Sequence, residues 1–243
     1  MKLQSIYEPK GLAREYAALA CNLYKGCPHG CTYCYAPAML HMTREAFHAD
    51  SVPRADILRK VDRDCDLLRG DTREILMCFT CDPYHSGDTS YTRVALNCIG
   101  IHGLKCTVLT KGGMRASRDF DVLKEYGFRY GTTLTTMNPR ACETNEPYAA
   151  SVHDRICAIH SAKSLGIQTW VSIEPVINAQ DAISVIEAET GWVDHWNIGK
   201  LNHVASPVPV DWTAFVSEVR NLLPPEKYTF KSSLHQWTGG KSK

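Results

Sequence analysis

Short apolar, β-branched runs alternate with amphipathic stretches about six times along the chain. The runs at 17–24, 74–80, 105–110, 130–136, 168–173 and 195–199 read as strands. Between them, residues 54–69 set Ile57, Leu58, Val61, Cys65 and Leu68 on one helical face, and residues 150–165 do the same with Val152, Ile156, Ile159 and Leu165. Gly127, Gly166 and Gly191 follow three of the helical patterns, where a left-handed C-terminal cap is wanted. Strands alternating with helices imply parallel pairing through right-handed crossovers. Six such units fit 243 residues and eight do not. The pattern therefore predicts an α/β fold, an open partial (β/α)6 barrel, with its reactive groups at the C-terminal ends of the strands. The barrel core is assigned to residues 1–203. From 204 to 243 come prolines, a short helix capped by Asp211, and a basic aromatic segment, KYTFKSSLHQWTGGKSK, which closes the barrel or contacts substrate.

Composition narrows the function. A hydrophobic content of 44% suffices for a core, and 27 Lys plus Arg against 26 Asp plus Glu leave a net charge of +1. So balanced a chain has no strong general grip on polyanions, and a nucleic-acid substrate would need a local patch. No apolar run reaches 18 residues and the first twenty residues carry charges, so a soluble, cytoplasmic protein without a membrane partner is expected. Eleven cysteines is a high and odd number. In a reducing compartment such thiols bind metal, do chemistry, or fill the core as small hydrophobes.

The spacing decides for one group. Cys27-Pro-His-Gly-Cys31-Thr-Tyr-Cys34-Tyr-Ala-Pro directly follows the first predicted strand. Three thiolates in a CxxxCxxC loop can ligate three irons of a [4Fe–4S] cluster, leaving the fourth iron open to a substrate or cofactor. A structural zinc would want a fourth ligand, for which His29 and Cys21 are the nearest candidates. The polar ends of the other strands, Thr80-Cys81-Asp82, Lys111, Thr133 with Thr135, Glu174 and Gly199-Lys200-Leu201-Asn202-His203, fit a site at a barrel mouth. Cys78 and Cys81 form a second CxxC, but on an extended strand residues three apart face opposite sides. Cys78, Cys65, Cys98, Cys106 and Cys157 fall on apolar faces and read as core, whereas Cys81 sits at the strand end beside Asp82.

The motif, the aromatic Tyr33 before its third cysteine and the strand–helix alternation that follows resemble the radical S-adenosylmethionine superfamily. NLYKGCPHGCTYCYAP, with Thr80-Cys-Asp82-Pro-Tyr84, Leu109-Thr-Lys111, Arg118-Asp-Phe-Asp121, Glu146-Pro147 and Arg155, is similar to its spore photoproduct lyase-like branch, over residues 17–203. The resemblance implies a [4Fe–4S] cluster on Cys27, Cys31 and Cys34, S-adenosylmethionine chelated to the open iron, and an external one-electron reductant such as flavodoxin. Reductive cleavage then yields methionine and a 5′-deoxyadenosyl radical that abstracts a substrate hydrogen. It further implies that Thr80, Cys81 or Asp82 accepts from the methionine ammonium, that Lys111 pairs with its carboxylate, and that Thr133 and Thr135 reach ribose or carboxylate. Tyr33, Ile173 and Val176 would bracket the adenine, with Glu174 and Gly199 also at the cofactor.

For the reaction itself, Cys81 and Tyr84 are the candidate catalytic residues, with Tyr84 and Tyr35 placed either to stack a base or to cover the cluster. His29, His85 and His203 lie where a substrate would reach them. In the lyases a cysteine near this strand end returns a hydrogen atom to the thymine radical, but this chain has Phe79 there and lacks the lyases' long N-terminal region. The reading is therefore an isomerase-type rearrangement or modification of a thymine-derived base in DNA rather than dimer cleavage. The tail residues Lys227, Tyr228, Phe230, Lys231, His235, Trp237, Lys241 and Lys243 would grip DNA or modified thymidine by alternating cations and aromatics. The alternatives are a thymine-photoproduct lyase, a radical enzyme on a peptide, tRNA or small metabolite, and a non-catalytic iron–sulfur protein.

Overall fold

The structure is a computed structural model and describes residues 2–201 and 208–239. Its strands are β1 (Ile6–Tyr7), β2 (Leu19–Cys21), β3 (Tyr24–Lys25), β4 (Val52–Pro53), β5 (Glu74–Met77), β6 (Lys105–Thr110), β7 (Arg129–Thr133), β8 (Thr169–Val176), β9 (His195–Lys200) and β10 (Tyr228–Phe230). Eight of them form one sheet in the order β1-β2-β5-β6-β7-β8-β9-β10. Every neighbouring pair from β2 to β10 is parallel, and β1 joins the edge antiparallel to β2. The six expected strands are β2 and β5 to β9. Two further edge strands, β1 and β10, are too short for a two-residue alternation to declare them.

Helices Ile57–Leu67, Ser90–Ile101, Phe120–Glu125, Val152–Ser164 and Ala179–Glu189 connect the parallel strands. Ser151 caps the fourth, its hydroxyl accepting from the Asp154 N–H at 3.2 Å. Gly127 and Gly166 take left-handed φ values of +67° and +83° after their helices, whereas Gly191 does not. Because helices cover the outside, the strands are apolar on both faces; Glu74–Met77 and Thr169–Val176 are almost wholly buried. Inside, the Trp170 indole N–H donates to Thr107 Oγ1 at 2.8 Å. A Cβ on Gly131 would lie 2.2 Å from that ring, so the small residue on β7 makes room for the large one on β8.

The segment after Asp211 does not hang free. Helix Trp212–Leu222 packs on helix Ala179–Glu189, and β10 adds in parallel to β9. Tyr228, Phe230 and Trp237 pack against the core, and Lys231 is 2% exposed. Its ammonium lies 3.2 Å from the Tyr16 ring centroid, while the Ser232 N–H donates to Glu15 Oε2 at 3.2 Å. These contacts tie the segment before β2 to the segment after β10, the two ends of the open sheet. Of the tail residues expected to grip DNA, Lys231 is therefore buried, whereas Lys227, Tyr228, Phe230, His235 and Trp237 stay partly exposed. Lys241 and Lys243 lie outside the described residues.

Candidate active site

The CxxxCxxC loop leaves β2 and is anchored by its backbone. The Cys27 N–H donates to the Phe47 carbonyl (3.1 Å), that of Thr32 to the Asn145 carbonyl (2.8 Å), and that of Tyr148 to the His29 carbonyl (3.1 Å). The carbonyls of all three cysteines are also taken up. His48 Nδ1 donates to Cys27 O at 2.8 Å, and Arg44 donates to Cys31 O at 2.5 Å and to Cys34 O at 3.2 Å. Just before the motif, Gly26 has φ +86°, and a Cβ there would meet the Asp50 carbonyl oxygen at 2.1 Å. With its backbone held in this way, the loop presents three free thiols, Cys27, Cys31 and Cys34, to one cavity of about 410 Å³ at the C-terminal ends of the strands.

The strand ends complete that cavity with Thr80, Asp82, Lys111, Thr133, Ser172 and Glu174. Asp82 accepts from Thr110 Oγ1 (2.6 Å) and the N–H groups of Tyr84 (2.8 Å) and Lys111 (2.7 Å), and His29 Nε2 lies 3.0 Å from it. Burial alone would raise its pKa, but His29 and these donors hold the carboxyl well below the usual range. The other nitrogen of His29, Nδ1, donates to the Tyr148 carbonyl at 3.3 Å. His29 is held between the Tyr148 carbonyl and Asp82, and Cys21 is buried on β2 and does not line the cavity. Of the two candidates for the fourth ligand of a closed zinc site, Cys21 is thus away from the thiols, and His29 is already paired with Asp82.

A second buried network stands behind the loop. Arg155, fully buried, approaches Glu146 Oε2 at 2.5 Å and donates to the carbonyls of Ala150 (2.8 Å) and Thr133 (3.0 Å). The Tyr33 hydroxyl donates to the other oxygen of Glu146, and Lys111 Nζ lies 5.5 Å from the Tyr33 ring centroid. Burial disfavours the Lys111 charge, but Cys31 in its thiolate form and the Glu146 carboxylate outweigh it and raise its pKa. Burial likewise pushes the thiols up, Cys31 to about 12, with Lys111 opposing. In the metal-free chain they are protonated, and a metal must displace those protons.

The sequence model of the Radical SAM superfamily matches residues 21–178. The chain belongs to the radical SAM superfamily. Members use a [4Fe–4S] cluster and S-adenosylmethionine, and the site offers a fitting donor set: three thiols converge on the cavity, and Thr80 lines it with a hydroxyl that is buried without a partner among the described residues. Solved structures agree in fold. Spore photoproduct lyase complexed with dinucleoside spore photoproduct superposes with a TM-score of 0.68 at 13% identity, covering 94% of this chain and 80% of that one. Streptococcus suis SuiB bound to S-adenosylmethionine gives 0.68 at 10% identity, covering 90% of this chain and 51% of that one. No curated protein matches the chain.

Within this radical SAM barrel the expected site residues divide. Cys27, Cys31, Cys34, Tyr33, Thr80, Cys81, Asp82, Lys111, Thr133 and Glu174 line the cavity, but Asp82 already has a protein donor on each oxygen. Thr135 does not line it, because β7 stops at Thr133 and the alternation of side chains stops with it. Val176 and Ile173 are fully buried in the core rather than at the cavity. Gly199 also lies behind the cavity wall, where a Cβ would meet the Glu174 carboxyl at 2.9 Å and Lys231 Cγ at 3.0 Å. Tyr84 is a core residue, fully buried with its hydroxyl donating to Asp119 Oδ2 at 3.0 Å, so it cannot stack on a substrate. Tyr35 does line the cavity. His85 is buried edge-on against Tyr24 and does not, and Asn202 and His203 lie outside the described residues.

Cys78 is buried in the core as expected, but it does not face away from Cys81. Since β5 ends at Met77, the chain bends and Cys78 and Cys81 both line the cavity. Cys65 and Cys106 are core as expected, but Cys98 and Cys157 are half-exposed. Cavity residues missed from the sequence include Tyr16 and Ser172, with Lys10, Leu12 and Ala13. Ser172 stands two residues before Glu174 on β8, so alternation could have found it. Tyr16 joins the same group, sharing a 2.9 Å hydrogen bond with Ser172 and donating to Glu174. Nothing local marked it.

Proposed function

We propose that this radical SAM protein is an enzyme that holds a [4Fe–4S] cluster on Cys27, Cys31 and Cys34 and uses hydrogen abstraction to rearrange or modify a thymine-derived base in DNA. The observation that carries the radical chemistry is the convergence of these three thiols with Lys111 and Thr80 on one mouth cavity. When bound, the reduced cluster and S-adenosylmethionine supply a 5′-deoxyadenosyl radical. The chain's own residues position and protect. Lys111, kept charged by its neighbours, pairs with a carboxylate at the cavity. The unpartnered Thr80 hydroxyl accepts from the ammonium, a role that Asp82 is too occupied to fill. Thr133, fixed by Arg155 on its carbonyl, reaches the ribose, and the Tyr33 ring, fixed by Glu146, covers the adenine side.

The base is supported by the aromatic side of the cavity. Tyr16, Tyr35 and Phe79 line it, rings on which a flipped base stacks, and the exposed Lys10 at its rim suits a phosphate. A structure of similar fold is the lyase complexed with a dinucleoside photoproduct. Cys78, Phe79 and Cys81 line the same cavity; the sequence resemblance sets Phe79 where the lyases carry their hydrogen donor, which favours rearrangement over dimer cleavage.

The test is anaerobic reconstitution with iron, sulfide, dithionite and S-adenosylmethionine, with 5′-deoxyadenosine measured with and without thymine-bearing oligonucleotides, plain and modified. Deoxyadenosine that rises with one oligonucleotide supports both parts of the reading. Formation indifferent to DNA, or stimulated by a peptide instead, refutes the substrate. Replacement of any one of Cys27, Cys31 and Cys34 by Ala should abolish deoxyadenosine formation; retained formation refutes the cluster assignment.

A further inference from the structure

A second group of potential ligands lies outside the mouth cavity, on the helices that follow β4 and precede β6. Helices Ile57–Leu67 and Ser90–Ile101 pack side by side. The first carries Asp62 and Cys65 at a spacing of three; the second carries Cys98, with His102 four residues on as its C-cap. Those spacings put both members of a pair on one helical face. We propose that Asp62, Cys65, Cys98 and His102 form a structural zinc site that staples these two helices together.

The geometry is close to what zinc requires. One ligand atom each from Cys65, Cys98 and His102 lie within 4.8 Å of one another. Asp62 Oδ1 is 3.5 Å from Cys98 Sγ and 3.8 Å from His102 Nε2. A tetrahedron with Zn–S of about 2.3 Å and Zn–N or Zn–O of about 2.0 Å has edges of roughly 3.3–3.8 Å. The two contacts of Asp62 already stand at that length; Cys65, Cys98 and His102 have to draw together by about an ångström, and Asp62, which is outside that group of three, has to swing toward Cys65. Two thiolates, an imidazole and a carboxylate are a ligand set that zinc accepts in closed four-coordinate sites.

The support around the ligands points the same way. His102 Nδ1 donates to the Cys98 carbonyl at 2.8 Å, which fixes the ring and turns Nε2 toward the cluster. That is the outer hydrogen bond that metal-binding imidazoles characteristically make. Of the two nearby carboxylates, Asp66 lies 3.2 Å from His102 Nε2 but is also held by Arg69 at 3.0 Å. Among the described residues Asp62 faces only Cys98 and His102, which leaves it as the ligand. Cys65 is fully buried whereas Cys98 is half-exposed and the Asp62 side chain is 65% exposed, so an ion can enter from solvent and end up sealed from below. Cys157 and His153 show the contrast. They share the spacing of four with Sγ and Nε2 3.5 Å apart, but among the described residues no third donor joins them.

The experiment is metal analysis with zinc K-edge absorption on the reconstituted full-length protein, which sees zinc without interference from iron. The expected result is one zinc per chain with two sulfur neighbours at about 2.3 Å and two lighter ones at about 2.0 Å. Cys65→Ser/Cys98→Ser should lose that zinc and melt at lower temperature while keeping the iron content and deoxyadenosine formation of the parent. Should the double variant fail to fold, His102→Gln, on a partly exposed ring, should weaken zinc binding at least tenfold in chelator competition. Zinc that persists in both variants overturns the proposal. So does zinc that disappears when Cys27, Cys31 and Cys34 are replaced by Ala, since it then belonged to the cluster loop. A parent protein of mass two daltons lower, restored by reductant and unable to take up zinc afterwards, would make Cys65 and Cys98 a disulfide pair and equally refute it.

Discussion

Arg155→Met tests whether the loop depends on the ion pair behind it. The guanidinium is fully buried against the equally buried Glu146 and also donates to the carbonyls of Ala150 and Thr133. Methionine fills most of the volume but leaves the carboxylate without its main partner, which costs about 3–5 kcal/mol when one half of a buried pair is removed. The two carbonyls each risk a further loss of about 1 kcal/mol or more, offset in part by the added apolar burial. A net loss of about 4 kcal/mol is a large share of the ~5–15 kcal/mol that holds a domain together, and should lower Tm by roughly 10 °C.

The pH dependence separates charge from packing in this variant. In the parent, burial raises the pKa of Glu146, but Arg155, Lys111 and Tyr33 outweigh it and hold the carboxyl below its ordinary value. That stabilisation is present above the unfolded carboxyl's pKa and is lost as pH falls through the folded one. Without Arg155, burial dominates and the sign reverses, so the penalty of the variant should shrink between pH 8 and pH 5. Calorimetry of parent and variant at equal iron content measures both effects. A loss below about 1 kcal/mol, or a penalty that grows on acidification, refutes the reasoning. Arg155→Met/Glu146→Gln should recover much of the loss, since no charge is then stranded.

Lys111→Ala should leave iron binding intact and weaken S-adenosylmethionine binding by about 10- to 100-fold, the worth of a charge-assisted hydrogen bond in a sheltered site; an unchanged affinity by equilibrium dialysis removes Lys111 from the cofactor. Gly199→Ala should cost about 1–3 kcal/mol in urea unfolding and reduce activity, because the new Cβ meets the Glu174 carboxyl at 2.9 Å with Lys231 behind it. Lys231 gives a test in the alkaline range: burial brings its pKa from 10.5 down to about 8, a gap worth about 3 kcal/mol. Since the folded state sheds the proton first, stability relative to Lys231→Met should rise between pH 8 and pH 10.5, and a flat difference would place the ammonium in solvent.

The alternation of strands and helices, the parallel barrel and the CxxxCxxC loop were legible in the sequence, because each rests on short-range spacing. A two-residue period marks a strand, a 3.6-residue period a helix, and three thiols within eight residues can meet in one loop whatever the rest does. Which polar residue at a strand end faces the cavity was not legible, since alternation holds only as far as the strand runs. It failed for Thr135, one step beyond β7, and for Cys78, just past β5. Tyr84 and Asp82 are polar neighbours in sequence, yet one is buried against Asp119 and the other bridges two strand ends.

Only the tertiary structure decided the contacts between distant segments. The tail became a strand, and its Lys231 was drawn under Tyr16, because β9 offered an edge and the ring a partner. Asp62, Cys65, Cys98 and His102 gathered only because two helices that flank the same strand must pack together. Sequence by itself determined the family, the chemistry of the loop and the layers of the fold. The walls of the cavity and the second cluster required the chain's long-range closure, whose energy comes from burying apolar faces that specify no single polar neighbour.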